Sequence, residues 1–191
     1  MADQDLMEAA KKQSGEFEAA RSVFLQSAVD AVYKKYPILS QYGFEVAYGE
    51  RPEGTVGGLE FYAPDEEKNP RPGVPFIEVY DRSVTGNDLA TMLFGDMLHH
   101  VASADDGFRA MRDKFVETIT PEQAAIDRGA YERSKLHHGE SRPFDKWFDV
   151  SRKDAYIRGY LAPDKNDEWR DIYTDEQKKI LEQMKSYLGV R

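Results

Sequence analysis

The four histidines of this 191-residue chain fall in two adjacent pairs, His99-His100 and His137-His138. In GDMLHHV (95–101), Asp96 stands three residues before His99 and four before His100. On a helix those spacings place side chains on one face. Adjacent helical residues point about 100° apart, so one of His99 and His100 can share a site with Asp96 while the other packs or meets solvent. In KLHHGES (135–141), Glu140 and Ser141 add oxygen groups beside the second pair. Imidazole and carboxylate together suit zinc, and three protein ligands leave a position open for water. The candidate constellation is a metal bound by Asp96, one of His99 and His100, and one of His137, His138 and Glu140, with Asp96 also the candidate catalytic residue. The plain alternative is packing and surface histidines with no cofactor, zinc or another divalent ion being the one the constellation would accept.

The elements that must position these groups follow from periodicity and capping. Phe17, Ala20, Val23, Phe24, Ser27, Ala28 and Val32 recur at helical spacing, Gly15 is placed to break off a leading turn, and Pro37 ends the helix near Tyr36. Three strand-like pieces follow at 43–49, 57–64 and 74–82, separated by Gly- and Pro-rich links. They predict a small, mostly antiparallel sheet, with DEEKNPRPG (65–73) as a mobile loop. Asn87 is a candidate N-cap for the helix that carries Asp96 and the first His pair, which should stop near Ser103. Asp106 is placed to cap the next helix. Thr120-Pro121-Glu122-Gln123 and Thr174-Asp175-Glu176-Gln177 read as capping boxes, Ser151 as the start of a helix between them, and Gly189 as a final stop. The order is α+β: an N-terminal helix, a small sheet, a helix with the candidate ligands, and a helical C-terminal half. The domain reading is an α+β core over 1–104 and a helical region over 105–191 packed on it.

The segment PFIEVYDRSVTGNDLATMLFGDMLHHV (75–101) resembles the strand-loop-helix of zincin-type metallopeptidases, and the resemblance extends over roughly residues 15–103. In that family the helix carries H-E-x-x-H, two zinc ligands flanking a general base. Gly95-Asp96-Met97-Leu98-His99 falls on the pattern: His99 matches the second ligand, Asp96 matches the Glu with one methylene fewer, and Gly95 stands where the first ligand belongs. A zinc ion short of one protein ligand is weakly held, and a base misplaced by about 1 Å can cost on the order of a hundredfold in rate. The resemblance therefore implies a degenerate zincin-like core. Glycine inside a helix costs about 1 kcal/mol relative to alanine, which makes sense where a bulky group approaches, and Trp147 or Phe148 is the expected neighbour. The later segments ITPEQAAIDRGAYERSK and RKDAYIRGYLAPDKNDEWRDIYTDEQKKILEQMKSYLG are similar to uncharacterised bacteriophage-encoded proteins, among which zincin-like domains occur.

Composition narrows the classes. There is no cysteine, so disulfides, thiolate chemistry and Cys-based zinc sites are excluded. No apolar run approaches the roughly 18 residues of a membrane span, and the acidic N-terminus is unlike a signal peptide, so the expectation is a soluble, cytoplasmic protein, in host cytoplasm or virion if phage-encoded. Residues 1–103 carry 17 acids against 9 bases, and residues 104–191 carry 18 against 17, a balance that argues against a nucleic-acid grip. Gly54, Gly57 and Gly58 serve turns and form no phosphate-binding loop. APDE (63–66) with IEVY (77–80) lacks the lysine of the nuclease pattern it faintly follows. Tyr156, Tyr160, Trp169 and Tyr173, with Arg152, Arg158 and Arg170, read as core and core rim, with an aromatic-arginine contact surface as the alternative. The functional expectation is a non-catalytic binding or structural protein with a protein partner and neither nucleic acid nor membrane. Its alternatives are a metal-dependent hydrolase built on the constellation above and, further off, an acidic polyanion mimic.

Overall fold

The first helix, α1, runs without a break from Ala2 to Lys35, so Gly15 lies inside it and does not interrupt it. The computed structural model describes residues 2–51, 53, 58–84, 86–162 and 173–190, with the backbone alone for 2–18, 138, 150 and 151. The side chain of Phe17, Gly54, Gly57, Trp169 and Arg170 thus lie outside the described residues. The chain divides into two compact units, residues 1–35 with 40–93, and residues 36–39 with 94–191.

In the first unit α1 buries Leu25, Ala28, Val29 and Val32, whereas Val23 and Phe24 are 65% and 56% exposed. Ala28 and Val32 of the expected face are thus buried while Val23 and Phe24 are not, and the core face is turned toward Leu25 and Val29, which repeat at the same three-and-four spacing. The strands are β1 (Glu45–Tyr48), β2 (Leu59–Tyr62) and β3 (Phe76–Val79), in the order β1-β3-β2. β3 is antiparallel to β2 and parallel to β1, so the sheet is mixed where the short links pointed to mostly antiparallel pairing. A central strand is covered on both faces, and Phe76, Ile77 and Val79 are all buried. Glu60 and Glu78 stand directly opposite each other, and the Tyr80 hydroxyl lies 2.8 Å from Glu60 and 3.0 Å from Glu78, bridging the two like charges. A Cβ on Gly49 would fall on the Glu78 carboxylate, which explains the glycine there. The 65–73 link is pinned: the buried Asn69 donates to the carbonyls of Ala63 and Val74, each at 2.8 Å, and accepts from the Arg71 amide. Gly73, at φ +87°, makes the left-handed turn that closes it.

Helix α2 (Gly86–Ala104) begins one residue before Asn87, which therefore lies in the first turn and not at the cap. In the second unit follow α3 (Asp106–Glu117), α4 (Pro121–His138), α5 (Phe144–Ser151), α6 (Lys153–Leu161) and α7 (Asp175–Tyr187). Asp105, not Asp106, caps α3, accepting from the Phe108 amide at 2.8 Å. Ser151 ends α5 and does not start a helix; α5 had no capping signal in the sequence. Both expected capping boxes are present, at Thr120/Gln123 and Thr174/Gln177. Their glutamines are buried against each other, with Gln123 and Gln177 exchanging amide hydrogen bonds of 3.0 and 2.8 Å. Each glutamine thus closes its own helix start and bonds the other box, so all four groups are satisfied. Asp127, fully buried, accepts from Tyr156 Oη at 2.6 Å and Arg152 Nε at 3.0 Å. Tyr156 and Tyr173 are buried, in keeping with core placement of those aromatics. Tyr36 stacks on Phe94 at 4.0 Å and donates to the Leu161 carbonyl. No helix among the described residues is long and apolar enough to cross a membrane.

Candidate functional site

Asp96 and His99 lie on the part of α2 that belongs to the second unit. Phe94, Met97, Leu98 and Val101 are fully or almost fully buried there, so the polar residues between them emerge along the border of the apolar stripe. Asp154, in the first turn of α6, is placed where the helix dipole favours an anion. Its Oδ2 lies 2.7 Å from His99 Nδ1, and its Oδ1 lies 3.7 Å from Arg112 Nη1 of α3. One turn further along α6, Arg158 lies against Gly95: a Cβ built on that glycine would be 3.3 Å from Arg158 Cδ. The bulky group beside Gly95 is therefore an arginine, not Trp147 or Phe148.

The electrostatics follow from this packing. Asp96 Oδ2 is shut off from solvent and has no hydrogen-bond partner among the described residues. Burial pushes its carboxyl up to about 7, and the nearby charges of His99 and Arg158 hold that rise in check. The hydrogen bond to Asp154 raises the His99 pKa, opposed by burial and aided by the charges of Asp154 and Asp96. His100 turns to the buried side, where desolvation and the neighbouring His99 lower its pKa. The two adjacent histidines thus have opposite fates, as the helical rotation between them requires.

The second histidine pair has different surroundings. His137 is exposed near the end of α4, and the side chain of His138 lies outside the described residues. Glu140 is taken up by Arg142, which donates its backbone amide at 2.8 Å and Nε at 2.9 Å, and the arginine draws the carboxyl down to about 2. Among the described residues no three His, Asp or Glu side chains are grouped to hold a metal ion. The structure brings together Asp96 and His99 and adds Asp154 and Arg112, which the sequence did not single out, and Arg158, expected instead in the aromatic-arginine set. Asp154 and Arg158 are four apart on one helix, a spacing the sequence displays; nothing local connects them with His99, 55 residues away.

Among the described residues this cluster offers a zinc ion few donors. His99 Nδ1 is spent on Asp154, as in the outer support of many metal-bound histidines, which leaves one ring nitrogen and the Asp96 carboxylate as the available donors. Two guanidinium groups flank them, and with His99 protonated the cluster carries no excess negative charge to attract a cation. What the arrangement offers chemically is an oriented, partly exposed imidazole between a carboxylate and cations, beside a carboxyl that is readily protonated near neutral pH. No family model matches the chain, and no curated protein or solved structure matches it either. Fold and side chains together define a class only: an α+β protein with a partly buried Asp-His-Arg cluster in its helical half.

Proposed function

We propose that this is a non-catalytic binding or structural protein in which a zincin-like helix is retained as a packed element without zinc chemistry. The observation that carries the reading is Arg158 lying against Gly95, the position where a zincin helix would present its first ligand. The cations Arg112 and Arg158 around the Asp96–His99 pair support it further, since they disfavour a second positive charge there. A phage-encoded setting and a protein partner belong to the same proposal.

The test is metal analysis of protein purified without a histidine tag, followed by calorimetric titration with zinc and manganese. The expected result is less than a tenth of an equivalent of any metal and no saturable binding, with Asp96→Ala still folded. Near-stoichiometric metal that disappears in His99→Ala would overturn the proposal in favour of the metal-dependent hydrolase. For that outcome the partnerless Asp96 Oδ2 is the first ligand to examine.

A further inference from the structure

Helix α1 carries a second periodic face, apart from the one packed in the first unit. Positions 6, 10, 13, 17, 20, 24, 27 and 31 follow one another at alternating intervals of four and three, and Leu6, Ala10, Phe17, Ala20, Phe24 and Ala31 among them are apolar. Two positions per heptad, kept up for more than three heptads, make the narrow seam of a coiled coil and not the wider stripe of a helix lying on a core. The helix is continuous from Ala2 to Lys35, so one scaffold carries the whole seam. Where side chains are described, seam and core are separate. Ala20, Phe24, Ser27 and Ala31 are exposed, whereas Leu25, Ala28, Val29 and Val32 are buried.

We propose that α1 joins two copies of this chain through this seam, as a parallel, in-register, two-stranded coiled coil. The charges beside the seam select that occupant. With Phe24 at heptad position a, Glu16 and Asp30 are g residues, and Arg21 and Lys35 are e residues. In parallel helices the g residue of one chain meets the e residue of the other five positions on, and such pairs set partner and orientation. Glu16 then meets Arg21 and Asp30 meets Lys35, acid to base in both cases. Antiparallel helices set g against g and e against e, acid to acid and base to base. Within one helix, residues five apart point about 140° apart, so the five-residue offset pairs these charges only between helices. Glu16 enters by register alone; Asp30 and Lys35 are exposed. The intervening g–e pair, Val23 with Ala28, is uncharged and has its alanine in the core. A helix strip ~50 Å long and ~10 Å wide, taken on both copies, comes to the ~1,000 Å² of a specific interface. The alanines of the seam bury little surface each, which sets the association in the micromolar range. The inference rests on the binding or structural reading above and gives it a partner, a second copy of the chain.

The test is sedimentation velocity of the full chain from about 1 to about 300 µM, where a micromolar dimer passes from mostly dissociated to mostly formed. A reversible monomer–dimer equilibrium is expected. Phe24→Glu, at a position 56% exposed, should keep the helical circular dichroism and leave the chain monomeric throughout. Ala31→Glu, also at an exposed position, should do the same, so the test survives the loss of either variant. Asp30→Lys and Lys35→Asp should each weaken the dimer ~5-fold, and the two together should restore it. Because the chain has no cysteine, Ala20→Cys and Ala31→Cys each set a single thiol opposite its own copy in a parallel dimer. Both should give disulfide-linked dimers on mild oxidation. A chain monomeric over the whole range, a dimer indifferent to Phe24→Glu and Ala31→Glu, no recovery in the double charge reversal, or cross-linking at fewer than both positions would each overturn the proposal. Metal binding at His99 is read in a separate assay, so failure of the dimer and failure of the non-catalytic assignment are distinguishable.

Discussion

Replacing Asp96 by asparagine should change how stability depends on pH. Asp96 ionises near 3.8 in an unfolded chain and near 7 in the folded one, chiefly because burial disfavours its charge. Between those values the folded state binds the proton more tightly, so wild-type stability falls as pH rises from about 4 to about 7 and levels off above. The gap corresponds to ~4 kcal/mol against the ionised carboxylate. The residue as a whole is partly exposed, and screening by nearby solvent reduces this, so roughly 2–4 kcal/mol is expected. Asparagine has the shape of the protonated acid and cannot ionise. Urea unfolding of both proteins at pH 4, 5.5, 7 and 8.5 reads the effect, with His99 the coupled group whose own titration shifts alongside. Asp96→Asn should match wild type to within an offset at pH 4 and gain about 2–4 kcal/mol on it by pH 8.5. Parallel pH profiles would refute the reasoning, for they would mean that the carboxylate is hydrated or compensated in the fold.

Asp154→Asn should lower the His99 pKa, because the hydrogen bond that His99 donates to Asp154 is the largest cause of its rise. A raised histidine pKa stabilises below its unfolded value and ceases to as pH passes the folded one, so this variant should lose more stability at pH 6 than at pH 9; an unchanged His99 ring titration by NMR would contradict the pairing. Gly95→Ala should be stabilising by less than 1 kcal/mol, the helix-propensity gain of about 1 kcal/mol being partly offset as Arg158 gives way, and a large loss in thermal denaturation would show that Arg158 cannot move. Gln123→Ala should cost about 2–3 kcal/mol, since it opens one capping box and takes a partner from Gln177. A double-mutant cycle with Gln177→Ala should return a coupling above about 0.5 kcal/mol; additivity would mean that the two boxes act independently.

The parts of the fold legible in the sequence are those that a few neighbouring residues settle. Thr120 with Gln123 and Thr174 with Gln177 mark helix starts because the hydrogen bonds involved close over four residues, and both boxes are present. The α+β order follows likewise from local periodicity. Where two local solutions compete, the reading fails. On α1 the stripe through Val23 and Phe24 and the stripe through Leu25 and Val29 have the same spacing, and the sheet decides which is buried. Asp105 and Asp106 are equally good caps, and the difference of one residue rests on where the chain turns.

At the candidate site the sequence by itself determined that Asp96 accompanies one histidine and that the other turns elsewhere, because 3.6 residues per turn permits nothing else. It also determined that Gly95 leaves space for a neighbour. Only the tertiary structure decided that the neighbour is Arg158, that the histidine is His99, and that its partner is Asp154. It likewise gave Glu140 to Arg142 and made β3 the central strand with β1 parallel to it. The physical reason is common to all of these. Ion pairs and strand pairings across tens of residues depend on which surfaces meet, and the free energy that selects them comes from burying surface, a property of the assembled chain that no local spacing carries.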